Sequence, residues 1–387
     1  MENFEYYAPT KIYFGKGEGQ KLESIISKYG KNVLLTYGGG SIKRNGLYEK
    51  VIEALKDYNV VELSGIEPNP RVGTVRKGIE LTKANNIDVI LAVGGGSTID
   101  CSKVISVGHY YDGDVWDLVR DSSKITNGLP LVTISTMAAT GSEMNKYAVI
   151  TNPETNEKLG TGSDYMYPKA SILDPVYTYT LPTIQTAAGS ADIMSHVIEN
   201  YFQQEEGTYL PDQISEGILK TCIKYCSKAL LDPENYEARS NLMWASSLAL
   251  SGLCETGKRG SWSCHPIEHE LSAFYDITHG VGLAIITPRW MRYILSEKTV
   301  DRFVNYAKNV WNIPEEDDKF AMANKGIDAT ENYFKQCGIP MNLGKLGIDD
   351  LLLEKMSIAV IKHNPELSSA YVPLTEQDVE NILRNCL

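Results

Sequence analysis

Three times in its first half the chain runs a short apolar strand straight into a turn of small residues. Val33-Leu34-Leu35-Thr36-Tyr37 meets Gly38-Gly39-Gly40-Ser41, and residues 87–93 meet Gly94-Gly95-Gly96-Ser97. Residues 131–135 then meet Thr136-Met137-Ala138-Ala139-Thr140-Gly141-Ser142-Glu143. Strands that stay apolar along their length are those buried on both faces, and alternation with helical stretches such as 71–85 is the pattern of a parallel sheet covered on both sides. The expectation is a doubly wound α/β domain. Residues 4–14 alternate more loosely and read as an additional strand or hairpin.

Beyond Leu181-Pro182 the texture changes. Segments 185–203, 212–231, 236–256 and 319–337 carry apolar residues at helical spacing, strand-like runs almost vanish, and Pro233, Pro314 and Pro340 fall between the periodic stretches. This predicts a nucleotide-binding α/β domain over 1–182 and an all-helical domain over 183–387. A length of 387 residues suits two such domains. The two Gly-Gly-Gly-Ser turns recur as motifs and not as a periodic array.

Composition narrows the function classes. With 43% hydrophobic and 22% charged residues the chain reads as globular. A net charge of -12 argues against nucleic acid or an anionic membrane as partner, since both need a positive footprint. The start lacks the basic and apolar runs of a signal peptide, and no apolar stretch approaches the roughly 20 residues that span a bilayer. Seven scattered cysteines with no Cys-x-x-Cys pair read as free thiols in a reducing compartment, so the cytoplasm is expected.

A glycine turn after a buried strand brings backbone N–H groups close to a phosphate, and the helix that follows adds its partial positive charge. Gly94-Gly95-Gly96-Ser97 is placed for this, with Asp100 expected on the first turn of the helix. One such turn is equally explained as a tight connection; two copies and Thr140-Gly141-Ser142 after a third strand favour a nucleotide. The spacing is not Gly-x-Gly-x-x-Gly.

Four of the six histidines, His196, His265, His269 and His279, fall within one stretch of the second half. Asp192 and His196 stand four apart, which puts both on one helix face where they can bind one cation, and His265 and His269 share that spacing. One carboxylate and three imidazoles suit Zn²⁺ or Fe²⁺. Any single histidine is more simply a structural residue; the set is not. His109 and His363 lack partners at ligand spacing and read as ordinary residues. Glu199 lies about one turn beyond His196, as support for the site or as capping charge, and a lone Lys158 is ordinarily solvated.

Gly-Gly-Gly-Ser-x-x-Asp at 94–100, Ala-Thr-Gly-Ser-Glu at 139–143, Asp192-x3-His196 and His265-x3-His269-x9-His279-Gly280 together resemble the iron-containing (group III) alcohol dehydrogenases. The stretch Tyr37-Gly38-Gly39-Gly40-Ser41-Ile42-Lys43 is similar to their branch of NADPH-dependent butanol dehydrogenases and aldehyde reductases. The resemblance spans about residues 1–380. It implies that Asp192, His196, His265 and His279 bind the metal, and that His269 lies near nicotinamide and substrate. It implies that Gly95, Gly96, Ser97 and Asp100 hold the pyrophosphate and ribose region, with Thr136, Thr140, Ser142, Asn145, Lys158 and Leu181 lining the cofactor cleft and Asn69 near the adenosine ribose. It also implies a homodimer, through the N-terminal strand segment, and a cofactor and metal placed between the domains. Many members carry Asp where Gly39 stands. Without that carboxylate, and with Gly38, Ser41, Lys43 and Arg44 nearby, the expectation tilts from NAD to NADP(H).

The expected activity is hydride transfer between a nicotinamide cofactor and a small alcohol or aldehyde. The metal serves as Lewis acid on the substrate oxygen, and His269 is the candidate for moving the proton. A glycerol dehydrogenase or dehydroquinate synthase-like enzyme would share the architecture, but a phosphate-bearing substrate needs a basic cluster, and only Lys258 and Arg259 stand near. A metal-dependent hydrolase would leave the glycine turns as mere connections, and a non-enzymatic metal-binding scaffold predicts no nucleotide binding.

Overall fold

The computed structural model describes residues 1–204 and 206–387. These form two compact units, Tyr7–Leu181 with Pro233–Ser251, and Met1–Tyr6 with Pro182–Asp232 and Gly252–Leu387. The change of texture at 182 coincides with one change of unit, but neither unit is a single stretch of chain. The helix Tyr236–Ala249 belongs with the strands, although its sequence resembles its helical neighbours.

The strands in chain order are β1 (Lys11–Phe14), β2 (Asn32–Tyr37), β3 (Asn59–Leu63), β4 (Val89–Gly94), β5 (Leu131–Ser135), β6 (Tyr147–Asn152), β7 (Glu157–Gly162) and β8 (Ala170–Leu173). Six form a parallel sheet in the order β1-β8-β5-β4-β2-β3, and β6 and β7 form a separate antiparallel ribbon. Central β4 shows why its run is apolar throughout. Ile90 and Ala92 join one apolar cluster with Ile99, Val104 and Leu34, while Val89, Leu91 and Val93 join another with Leu22, Val51 and Leu35. Both faces of the sheet are covered, as the unbroken apolar strands require.

The loose alternation over 4–14 gives less than expected. Only Lys11–Phe14 is a strand, and it pairs in parallel with β8 at the sheet edge instead of folding into a hairpin. Pro9 has no N–H for a ladder, and most of residues 1–9 are exposed. Because β2, β4 and β5 are parallel neighbours, with Tyr37 opposite Val93 and Gly94 opposite Ser135, their three turns emerge at one edge of the sheet. That edge is where open α/β sheets receive ligands.

The second unit contains no strand among the described residues. Its central helix, Thr183–Tyr201, is buried at every position from Thr186 to Tyr201. Around it lie Tyr209–Leu231, Cys264–Tyr275, His279–Ile294, Val300–Trp311, Lys319–Gln336, Leu353–His363 and Glu376–Arg384. The helix expected to reach residue 256 stops at Ala249, and Gly252 beyond it adopts a left-handed φ of 91°. Among the described residues no helix is long and apolar enough to cross a membrane.

Candidate active site

The turn after β4 leads into the helix Gly96–Gly108, capped by Gly95 in extended conformation. Gly95 O accepts from Thr98 N and Ile99 N, while the first helical amides, Gly96 and Ser97, have no intrahelical acceptor. Gly96 is required by a close approach: a Cβ there would meet Thr140 Oγ1 at 2.4 Å, so the turn after β5 seats directly on the helix start. Two N–H donors, a helix N-terminus and the Thr140 hydroxyl thus share one small region, a chemistry suited to a phosphate.

Beneath it lies a buried polar network that holds the turn. Asp100 sits in the second helical turn, not the first. Its carboxylate accepts from the Ser142 hydroxyl at 2.5 Å and from Val149 N at 2.9 Å. Lys103, fully buried, donates to Asn145 Oδ1 at 2.9 Å and to Tyr147 O at 2.7 Å, and Asn145 Nδ2 donates to Gly141 O at 2.9 Å. Glu143, also buried, accepts from the Ser247 hydroxyl at 2.5 Å. Burial pulls the Lys103 ammonium down to about 8, against the opposing fields of Asp100 and Glu143, and burial pushes the Glu143 carboxyl up. Of the residues expected to line the cofactor, Asp100, Ser142 and Asn145 are therefore engaged in bracing the turn; Thr136 and Thr140 remain partly exposed. Lys158 is 5% exposed in the β6–β7 ribbon, opposite Thr151, and so is not the solvated lysine its isolation in sequence suggests.

At the β2 turn, Gly39 faces open space: a Cβ built on it meets nothing within 4 Å. Gly40 adopts φ 91°, and Ser41 begins the short helix Ser41–Arg44. The Gly38 carbonyl accepts from Gly40 N and Gly65 N. Lys43 is exposed, with its ammonium 4.4 Å from the Tyr48 ring and 5.1 Å from that of Tyr37, and both phenols donate to Glu62, at 2.5 Å from Tyr37 and 2.7 Å from Tyr48. Those bonds and the Lys43 charge outweigh burial and hold the Glu62 carboxyl below its ordinary range. Asn69 is buried in a left-handed conformation with φ 51°, and Leu181 closes a turn onto Thr178 O just before Pro182.

In the helical unit, Asp192 and His196 stand one turn apart on the central helix, His265 is the second residue of its helix, and His279 opens the next. The Nε2 atoms of His196, His265 and His279 lie 3.6, 3.7 and 3.6 Å from the same atom, Asp192 Oδ1. These separations are too long for hydrogen bonds. Ligand atoms about 2.1 Å from a tetrahedral metal stand roughly 3.4 Å apart, close to this spacing. Asp192 Oδ1 and His265 Nε2 are buried with no hydrogen-bond partner, a state that costs free energy unless a cation receives their lone pairs. Asp192, His265 and His279 also form a group whose ligand atoms all lie within 4.8 Å of one another. The donor set fits a divalent ion.

Two further carboxylates orient the imidazoles. Glu199 bonds His265 Nδ1 and accepts from Ser263 N and Cys264 N, both at 2.5 Å; Glu268 bonds His279 Nδ1 and accepts from the Ser272 hydroxyl. Each holds a proton on Nδ1, so that the Nε2 lone pair points at Asp192. Glu199 thus supports the site and is not merely capping charge. Glu268 went unread in the sequence, where it stands between two histidines as one more helical charge. His196 has no such carboxylate; its ring stacks on His265 at 4.6 Å. Burial opposes ionisation of Asp192, but the three imidazoles outweigh it and hold the carboxyl far below its ordinary range. Burial takes His196 down to about 3, whereas for His265 the Glu199 and Asp192 charges overcome burial and carry it up to about 9.

His269 stands outside this convergence. Its ring centroid is 6.3 Å from that of His265 and 5.7 Å from that of His279, and it is partly exposed. His109 pairs with the Thr82 hydroxyl and His363 with the buried Glu270, both away from the cluster. Lys258 is spent on Asp212, at 2.8 Å, and on Asn200 O, and Arg259 pairs with Glu2, which leaves no basic cluster for a phosphate-bearing substrate there.

A doubly wound unit with small-residue turns at one edge of its sheet and a helical unit with a carboxylate–imidazole cluster fit a metal-dependent dehydrogenase. Residues 9–175 match the iron-containing alcohol dehydrogenase family, and residues 186–387 match the C-terminal part of the Fe-containing alcohol dehydrogenase family. The chain belongs to the iron-containing alcohol dehydrogenases. It is similar to the NADH-dependent butanol dehydrogenase A of Clostridium acetobutylicum, with 54% identity over 386 residues that cover 99% of each chain. It is also similar to the NADPH-dependent aldehyde reductase YqhD of Escherichia coli, with 39% identity over 352 residues and 90% of each chain. Among solved structures, the NADH-dependent butanol dehydrogenase A of Thermotoga maritima superposes with a TM-score of 0.95 at 39% identity, covering 100% of this chain and 99% of that one. The protein is therefore an enzyme, a metal-dependent oxidoreductase of alcohols and aldehydes that uses a nicotinamide dinucleotide.

Proposed function

We propose that the enzyme interconverts small primary alcohols and aldehydes such as butanol and butanal, favours NADP(H), and holds one Fe²⁺ or Zn²⁺ ion on Asp192, His196, His265 and His279. The observation that carries the metal assignment is the convergence of three Nε2 atoms on the partnerless Asp192 Oδ1. The donor set accepts either metal, and availability decides between them. When bound, the metal supplies Lewis acidity to the substrate oxygen, and the nicotinamide gives or takes the hydride.

The protein's own groups do the rest. Glu199 and Glu268 keep His265 and His279 in one tautomer. His269, beside the cluster but outside it, gives a proton to the nascent alcohol oxygen in reduction and takes it back in oxidation. Gly95, Gly96 and Ser97 receive the pyrophosphate, on a turn braced by Asp100, Ser142 and Asn145. Thr136, Thr140, Lys158, Leu181 and Asn69 line the rest of the nucleotide's path.

The open space at Gly39, with Gly38 and Ser41 beside it and no carboxylate at that position, supports a 2′-phosphate. A second reading, NADH, is favoured by the similarity to NADH-dependent butanol dehydrogenases and by Glu62, which already draws on the Lys43 charge. Edge strand β1, preceded by the exposed Tyr7, supports a homodimer formed through the N-terminal segment; seven free thiols are in keeping with the cytoplasm. The test is loss of nicotinamide absorbance with butanal and each reduced nucleotide, alongside elemental analysis and light scattering. A metal-free protein that still reduces butanal, or one that binds no nucleotide, overturns the reading.

A further inference from the structure

Cys226 and Cys337 lie on different helices of the helical unit, and their sulfurs stand 3.9 Å apart. Cys226 is buried in the C-terminal half of Tyr209–Leu231, while Cys337 caps the C-terminus of Lys319–Gln336 and is partly exposed. The exposed flank of Cys337 forms part of the wall of a groove of about 520 Å³, shared with Ser227, Leu230, Trp311, Tyr333 and Gln336. None of these residues belongs to the cation site. The groove has the dimensions of a small-molecule site and one thiol at its surface, with a second thiol directly behind it.

We propose that this pair is a site of reversible thiol modification that takes small organic disulfides, with Cys337 as the entry thiol and Cys226 as the resolving thiol. The Cys337 thiolate attacks one sulfur of the incoming disulfide, forms a mixed disulfide and releases one thiolate. Cys226, as thiolate, then attacks the Cys337 sulfur, closes the Cys226–Cys337 bond and expels the second. The two protein thiols are oxidised, the small disulfide is reduced to two thiols, and the two cysteine protons end on them.

The geometry sets this order. Only Cys337 has a face on the groove, so the small disulfide meets it first, and Cys226 lies within reach of the sulfur once it is activated. Closing 3.9 Å to a bond of about 2.05 Å needs a movement of roughly 1.9 Å, which falls on a helix end followed by Gly338 at φ 84° and not on a helix interior. The hydrogen bond to Cys226 and burial both raise the Cys337 thiol, so the first step is slow at neutral pH and quickens in alkali. The five other cysteines, 101, 222, 254, 264 and 386, are buried and serve as internal controls.

The test uses the full, metal-loaded chain with 2-hydroxyethyl disulfide at mildly alkaline pH, quenched by alkylation under denaturing conditions and mapped by peptide mass. Wild type is expected to give a linked 226–337 peptide, lighter by two hydrogens, with no adduct retained. Cys226→Ser is expected to accumulate the mixed disulfide on Cys337, and Cys337→Ser to leave Cys226 unmodified. A stable adduct on wild-type Cys337 without the link, or no reaction at either residue, overturns the proposal. So does an adduct on Cys226 in the Cys337→Ser chain. The wild-type map decides even where a variant fails to fold.

Discussion

Gly280 lies against the backbone of Ala188: a Cβ on Gly280 would come within 2.0 Å of the Ala188 carbonyl oxygen. Ala188 stands one helical turn before Asp192, and Gly280 follows His279 directly. The contact therefore sets the distance between a carboxylate and an imidazole that converge on one point. Gly280→Ala forces the two helices apart and is expected to weaken metal retention by roughly 10- to 100-fold, as loss of a supporting contact does at such sites. Metal content after dialysis against a weak chelator measures it; an unchanged content would show that the helices adjust without moving His279.

The histidines divide by role. His265→Ala or His279→Ala removes a proposed ligand and is expected to abolish both bound metal and turnover. His269→Ala is expected to keep the metal and lose roughly a hundredfold or more in rate, the usual scale for a proton-transfer group. An empty site in the His269 variant beside a full one in the His279 variant would reverse the assignment.

Cofactor choice is tested at Gly39. Its open surroundings mean that Gly39→Asp adds a charge without a clash. The new carboxylate repels a 2′-phosphate and can accept from the ribose hydroxyls of NADH, so the ratio of kcat/KM values is expected to move at least tenfold toward NADH, or about 1.4 kcal/mol. A wild type that prefers NADH, or equal losses for both nucleotides, would refute the NADP(H) assignment.

Lys103 predicts a pH dependence of stability. Its folded value, about 8, lies below the ordinary 10.5, so between these the unfolded chain holds a proton that the folded chain does not. Stability from this group therefore rises with pH across that window. Compared with Lys103→Met, wild type is expected to gain about 3 kcal/mol from pH 8 to 10.5 in urea denaturation, because the raised tyrosines are common to both chains and cancel. Parallel curves for the two proteins would place the charge of Lys103 elsewhere.

The legible parts of the fold were those where one physical demand dominates the residues. Strands β2, β4 and β5 are buried on both faces and end in small-residue turns, so they stand out. β3 and β8 do not: Asn59–Leu63 is an edge strand with only Leu63 buried, and Ala170–Leu173 is four residues long. The proposed cation site could be read from Asp192-x3-His196 and the histidine string, because ligand chemistry restricts residue type. Glu268 and Lys103 were not, since a charged residue on a helix is ordinarily solvated, and only the folded chain shows both fully buried. The same applies to the bracing role of Asp100, whose partners, Ser142 and Val149, lie more than 40 residues away.

The helix Tyr236–Ala249 lies far along the chain from the strands it joins, and this orders the steps of synthesis. When β8 leaves the ribosome every strand of the sheet has been made, yet Glu143 still lacks the Ser247 hydroxyl that its buried carboxylate accepts. The nucleotide-binding unit cannot finish until Tyr209–Leu231, a helix of the other unit, has been translated too. A nascent chain halted near Leu181 still lacks both that helix and the hydroxyl from which Glu143 accepts. Separate expression of residues 1–182 would reproduce that stalled state instead of an independent domain.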